Sequence, residues 1–167
     1  MSEKNKIVEK KLKYVGIFDF KDAYSFLYTL ISDWGYGLNE KSYSEKVKGD
    51  SKEIDISWEG SRKIDDYFKF ELLIDWKILG LKDAEVMKDG KKIKANSGEV
   101  EIKMTGILVK DYEDKWSGTP FMKFLRGVYD KFVIAKTTEE YEDKLTAEVE
   151  EAVDEMKAFF VLEAKKR

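Results

Sequence analysis

The sequence predicts an α+β fold: a curved antiparallel sheet of about six to seven strands gripping a long C-terminal helix, with two shorter helices. Three observations carry this expectation. Between Asp66 and Leu79 every second residue is apolar (Phe68, Phe70, Leu72, Ile74, Trp76 and Ile78) and the alternate line is mostly polar, the period of a strand with one buried face. From Asn39 to Asp114 the patterned stretches all read as strands joined by tight turns, which force antiparallel pairing. After Thr138 an apolar stripe at helical spacing runs almost to the last residue. At ~3.3 Å per residue the central strand is about 45 Å long, and at ~1.5 Å per residue the last helix is about 40 Å, so the two match.

In chain order, residues 1–11 are polar and are expected to fray as a tail. Lys11–Phe18 reads as a strand with Leu12, Tyr14 and Phe18 on one side. Asp19 is placed to cap a helix that buries Phe20, Ala23, Tyr24, Leu27, Leu30, Ile31 and Trp34, and Gly35 and Gly37 end it. Ser42–Lys48 is a weakly patterned strand. Lys52–Gly60 is a strong one, with Ile54, Ile56 and Trp58 on one line. Gly49-Asp50-Ser51 turns between them, and Gly60-Ser61-Arg62 turns into the central strand. Ala84–Met87 and Lys92–Ala95 flank Asp89-Gly90, among the strongest short hairpin signals. Asn96-Ser97-Gly98 makes another turn, after which Glu99–Tyr112 returns with Val100, Ile102, Met104 and Leu108 on one face.

The covering layer follows. Thr119-Pro120 supplies a capping hydroxyl and a first-turn proline for a helix carrying Phe121, Phe124, Leu125, Val128 and Phe132 at helical spacing. Thr137-Thr138-Glu139-Glu140 has capping-box spacing and opens the last helix, whose stripe is Tyr141, Leu145, Val149, Ala152, Val153, Met156, Phe159 and Phe160. With no repeat, low-complexity stretch or linker, residues 1–167 read as one domain.

Composition narrows the function. Hydrophobic residues make up 43% of the chain and aromatics 14%, which excludes a disordered chain. With 31 basic and 34 acidic residues the net charge is −3, so no global field favours nucleic acid. Cys and His are absent. Their absence removes disulfides, thiolate nucleophiles, Cys/His zinc sites and Ser-His-Asp catalysis. Neither a cofactor nor a metal is expected, and no catalytic residue stands out. Richness in Lys and Glu without Gln or Cys fits a thermostable intracellular protein, and an AT-rich genome would also favour Lys over Arg. The charged N-terminus lacks a signal-peptide core and no apolar run spans a membrane, so a cytoplasmic location is expected.

The order strand, helix, antiparallel meander, long C-terminal helix resembles the helix-grip fold of the START/SRPBCC superfamily, which includes the birch-pollen allergens, polyketide cyclases and lipid-transfer domains. The matching stretches are Leu12–Phe18, Phe20–Trp34, the strands between Tyr43 and Tyr112, and Thr138–Ala164. The chain departs from the family in having one longer helix after the first strand, no glycine-rich loop beyond Gly49, and a helix interposed at Thr119–Val133. The resemblance implies a curved sheet closed on the long helix, often around an apolar cavity that takes a lipid, sterol, polyketide or hormone.

Four features are candidates for function. The inner face Phe68, Phe70, Leu72, Ile74, Trp76, Ile102, Met104 and Leu108 is either the wall of a ligand cavity or an ordinary core. The segment Trp116–Val133, carrying Trp116, Phe121, Phe124, Tyr129 and Phe132 with the flexible pair Ser117-Gly118 just before its helix, is a lid over a cavity mouth, a partner-binding or interfacial helix, or core. Arg126, lying among aromatics, anchors a ligand carboxylate or phosphate, or pairs with Asp111, Asp114 or Asp130. The acidic run 111–114 and the pair Asp65-Asp66 read more simply as solvated strand ends than as catalytic carboxylates. The leading expectation is a non-catalytic carrier of a small apolar or amphipathic molecule, gated near Ser117–Phe124. The alternative is a protein-interaction or scaffold module with a protein partner or a second copy of itself.

Overall fold

The computed structural model describes residues 2–113 and 118–165. Its elements are β1 (Glu3–Phe18), α1 (Phe20–Asp33), β2 (Gly37–Lys48), β3 (Ser51–Lys63), β4 (Phe68–Lys88), β5 (Lys91–Lys110), α2 (Pro120–Val128), one π-helical turn (Tyr129–Val133) and α3 (Ala135–Lys165). The fold is α+β. One antiparallel five-stranded sheet in the order β1-β5-β4-β3-β2 is accompanied by three helices, of which α3 is the longest at 31 residues.

Among the described residues the sheet has five strands, not six or seven. Ala84–Met87 and Lys92–Ala95 are the outer halves of β4 and β5, so the long hairpin keeps pairing across a bulge between Leu79 and Lys82 instead of ending there. Asn96-Ser97-Gly98 is likewise no turn, because these residues pair with Phe18, Ile17 and Gly16 of β1. The Asp89-Gly90 turn stands as expected, with both residues in the left-handed region (φ 53° and 76°) that a two-residue hairpin requires.

The segment expected to fray is instead the first half of β1, where Glu3 to Lys11 pair with Lys110 to Lys103. Its polar composition follows from its place: an edge strand with one wet face needs few apolar residues, and its lysines discourage further strand addition. A second correction concerns the entry to β4. β3 continues through Arg62 to Lys63, and the turn falls at Asp65, whose Oδ1 accepts hydrogen bonds from the backbone N–H of Tyr67 (2.8 Å) and Phe68 (2.7 Å).

The inward line of β4, Phe68 to Ile78, is buried throughout, with Ile54, Ile56 and Trp58 of β3 beside it. α3 lies against β1 and β5, and α1 packs on α3 and β2. α3 approaches β5 closely at Gly106, where a Cβ would come within 2.8 Å of Val8 Cγ1 and 3.0 Å of Leu145 Cγ. Asp19 caps α1 by accepting from Asp22 N–H at 3.1 Å, and Ala23, Leu27 and Ile31 point into the core. α3 does not open with the expected capping box. The π-helical turn runs into it across Ile134 alone, the N–H groups of Ile134 and Thr138 already donate to the carbonyls of Tyr129 and Ile134, and Thr138 is buried.

Candidate functional site

All eight positions read as a cavity wall, Phe68, Phe70, Leu72, Ile74, Trp76, Ile102, Met104 and Leu108, belong to one cluster of buried side chains. Aromatic side chains of the covering helices meet them: Phe68 and Phe70 face the ring of Tyr141 (centroids 5.0 and 6.2 Å apart) and Trp76 faces Phe20 at 6.3 Å, while Trp58 of the adjacent strand β3 lies 5.5 Å from Trp76. Burial of these rings requires only the alternation that the sequence displays. Two polar groups depart from it: Trp58 Nε1 and Trp76 Nε1 are buried donors with no hydrogen-bond partner.

The α2 segment behaves differently. Thr119 caps it by accepting from Met122 N–H at 3.1 Å, and Pro120 occupies its first turn, as the sequence predicts. Its aromatic stripe, however, faces outward: Phe121, Phe124 and Phe132 retain 66%, 65% and 73% of their surface, and Val128 is exposed beside them. Met122, Leu125 and Tyr129 form the half-buried underside, and the Tyr129 ring meets that of Tyr67 at 5.7 Å. No residue of α2 is buried. Gly127 lies in open space, so a close backbone approach is not the reason for a glycine there. Trp116 and Ser117, the other parts of the expected lid, lie outside the described residues.

Arg126 anchors this segment to the sheet. Its Nη2 lies 3.6 Å from Glu3 Oε2 and its Nη1 3.8 Å from Asp111 Oδ2. The pairing with an internal acid is therefore the observed one, and Asp111 is a buried partner rather than a solvated strand end. Asp65 has a structural role as well: besides closing the β3–β4 turn, its Oδ2 accepts the Tyr141 hydroxyl at 3.3 Å. Among the described residues no group of three or more acidic side chains is arranged to hold a metal ion.

Sequence reasoning missed Arg62 by placing it in a turn. It continues the inward line Ile54, Ile56, Trp58, Gly60, a period that reaches position 62, and its guanidinium lies over the rings of Tyr36 (4.7 Å) and Phe70 (5.4 Å). Its Nη1 donates to Trp34 O at 2.7 Å and its Nη2 to Glu148 Oε2 at 2.8 Å, while Tyr36 donates its hydroxyl to Glu148 Oε1 at 3.2 Å. Burial, reinforced by the Glu148 carboxylate, pushes the Tyr36 hydroxyl well above its usual range. A surface cleft of about 440 Å³ opens beside this cluster, lined also by Lys63, Lys144 and Glu151.

A second cleft, of about 490 Å³, lies between α1 and the C-terminal half of α3. Phe26, Leu30 and Phe159 line it, the rings of Phe26 and Phe159 being 5.1 Å apart, and Asp22, Asp33 and Glu163 edge it. Among the described residues no helix is long and apolar enough to cross a membrane. No protein-family model matches the chain, and no match was found among curated proteins or solved structures.

Proposed function

We propose that the protein is a non-catalytic interaction module whose recognition element is α2 with the π-helical turn that follows it. The observation that carries this reading is the outward placement of Phe121, Phe124 and Phe132 on one side of a capped helix. Each phenyl ring left in water forgoes roughly 1.5–3 kcal/mol of burial. Contiguous apolar surface of this kind marks interaction sites, and anchors at i, i+3, i+7 and i+11 are the spacing by which a helix seats in a groove. The flanking charge defines the partner. Residues 118–136 carry Lys123, Arg126, Lys131 and Lys136 against the one acid Asp130, a net charge of +3 in a chain of −3. Such a segment suits an apolar groove with an acidic rim. The test is a pull-down from the source cell with immobilised wild-type protein and with Phe121→Asp, both checked for native circular dichroism. A partner, another protein or a second copy of this chain, held by the wild type and lost from Phe121→Asp supports the reading; equal recovery, or no recovery together with no concentration-dependent self-association, ends it.

A second reading is a carrier of a small amphipathic molecule held between the sheet and α3. The unpartnered Trp76 Nε1 supports it, since a ligand oxygen in the interior would satisfy that donor, and so does the element order resembling the helix-grip fold. Native mass spectrometry and solvent extraction of freshly purified protein test it. A mass equal to that of the bare chain, with nothing extracted, overturns it.

A further inference from the structure

We infer that the partner groove for α2 exists on this same chain, in the cleft between α1 and α3, and that copies associate head to tail. This rests on α2 being the recognition element and adds the identity of what it binds. The two surfaces complement each other in both respects that matter. α2 presents outward phenyl rings flanked by the exposed lysines Lys123 and Lys131. The cleft presents Phe26, Leu30 and Phe159 with the acids Asp22, Asp33 and Glu163, and among the described residues no basic one lines it. Leu162, 60% exposed, lies one helical turn beyond Phe159 on α3.

The geometry excludes docking within one molecule. α2 is tied to the beginning of β1 through Arg126 and Glu3. The cleft sits at the other end of that strand, where Asp19 N–H donates to Glu163 Oε2 and Phe20 N–H to Asn96 Oδ1. The 16 residues of β1 run between the two, a contour of about 50 Å. An element at one end that fits a groove at the other makes a heterologous contact, which propagates from copy to copy unless the rotation closes a ring. The contact is small. Three phenyl rings exposed by about two-thirds offer roughly 300–500 Å², below the ~800 Å² per partner of a standard interface. Association is therefore expected to be weak and concentration-dependent.

Sedimentation velocity across a concentration series tests this with two surface variants, each confirmed folded by circular dichroism. Phe121→Asp/Phe124→Asp removes the helix half and leaves the groove; Asp22→Lys/Asp33→Lys spoils the groove rim and leaves the helix. Wild type is expected to grow in mass with concentration, and each variant to associate at least tenfold more weakly. An equimolar mixture of the two is expected to form a dimer and nothing larger, because it holds one intact pair of surfaces. Reversing both charges together, Lys123→Glu/Lys131→Glu with Asp22→Lys/Asp33→Lys, is expected to restore association. A wild type that stays monomeric at every concentration, or a mixture that stays monomeric while the wild type associates, overturns the inference. If a different protein is still released by Phe121→Asp in the pull-down, the interaction reading stands and only self-association fails.

Discussion

Arg62 Nη2 lies 2.8 Å from Glu148 Oε2, joining the far end of β3 to the middle of α3, with the Arg62 and Glu148 side chains only 18% and 14% exposed. Removing one partner strands the other's charge in a half-buried setting and leaves the Trp34 carbonyl or the Tyr36 hydroxyl without its bond. Arg62→Met alone should cost about 2–4 kcal/mol in urea unfolding. Arg62→Met with Glu148→Leu should recover much of that loss, since a well-packed apolar pair replaces a buried ion pair at little cost. A double variant no more stable than the single would assign the loss to packing around Tyr36 and Phe70.

The two phenylalanine environments predict opposite outcomes for similar chemistry. Phe70 is fully buried, so Phe70→Ala should destabilise by about 3–5 kcal/mol through lost transfer energy and a cavity. Phe124→Ser removes an exposed ring and should stay within about 0.5 kcal/mol of wild type. Denaturant midpoints of the two variants, measured side by side, check the assignment of one ring to the core and the other to a free surface.

Gly106 is a position at which α3 approaches the sheet closely. Gly106→Ala would place a methyl against Val8 and Leu145, and overpacking of this kind should cost about 1–3 kcal/mol. Pairing it with Leu145→Ala should make the combined loss smaller than the sum of the two single losses, a coupling that a double-mutant cycle reads directly.

Two tyrosines tie stability to alkaline pH. Burial and the hydrogen bond to Glu40 (2.8 Å) push the Tyr24 hydroxyl up to about 12 from 10, and burial raises that of Tyr36 as well. The folded protein thus holds these protons to higher pH than the unfolded chain does. Their contribution is complete below about pH 10 and declines as pH rises through 12. Tyr24→Phe should flatten that decline and remove one late-titrating phenol from an absorbance titration; an unchanged slope would place the linkage elsewhere.

Much of this fold is legible in the residue pattern, and the misreadings have physical causes. Alternation along β4, the Asp89-Gly90 turn, the caps Asp19 and Thr119, and the stripe of α3 are local signals, set by strand or helix period and by short-range hydrogen bonds. They hold wherever the segment is placed. Strand count was not local: whether the chain ends a strand at Leu79 or at Asn96-Ser97-Gly98 depends on the ladder opposite, and β1 and β5 supply enough pairing to carry the chain through. β1 itself, mostly charged near its start, becomes a strand only because β5 lies beside it.

The candidate site divides in the same way. That Phe68–Ile78 would be buried followed from the sequence, because a single wet face leaves the other nowhere to go. That Phe121, Phe124 and Phe132 would stay in water did not, since helical spacing defines an apolar stripe without saying whether anything covers it. Tertiary structure decided this: Arg126, Glu3 and Asp111 fix one side of α2 to the sheet edge and turn the aromatic side outward. The partnership of Arg62 with Glu148 was equally invisible, for the two are 86 residues apart and meet only after the sheet and α3 have packed.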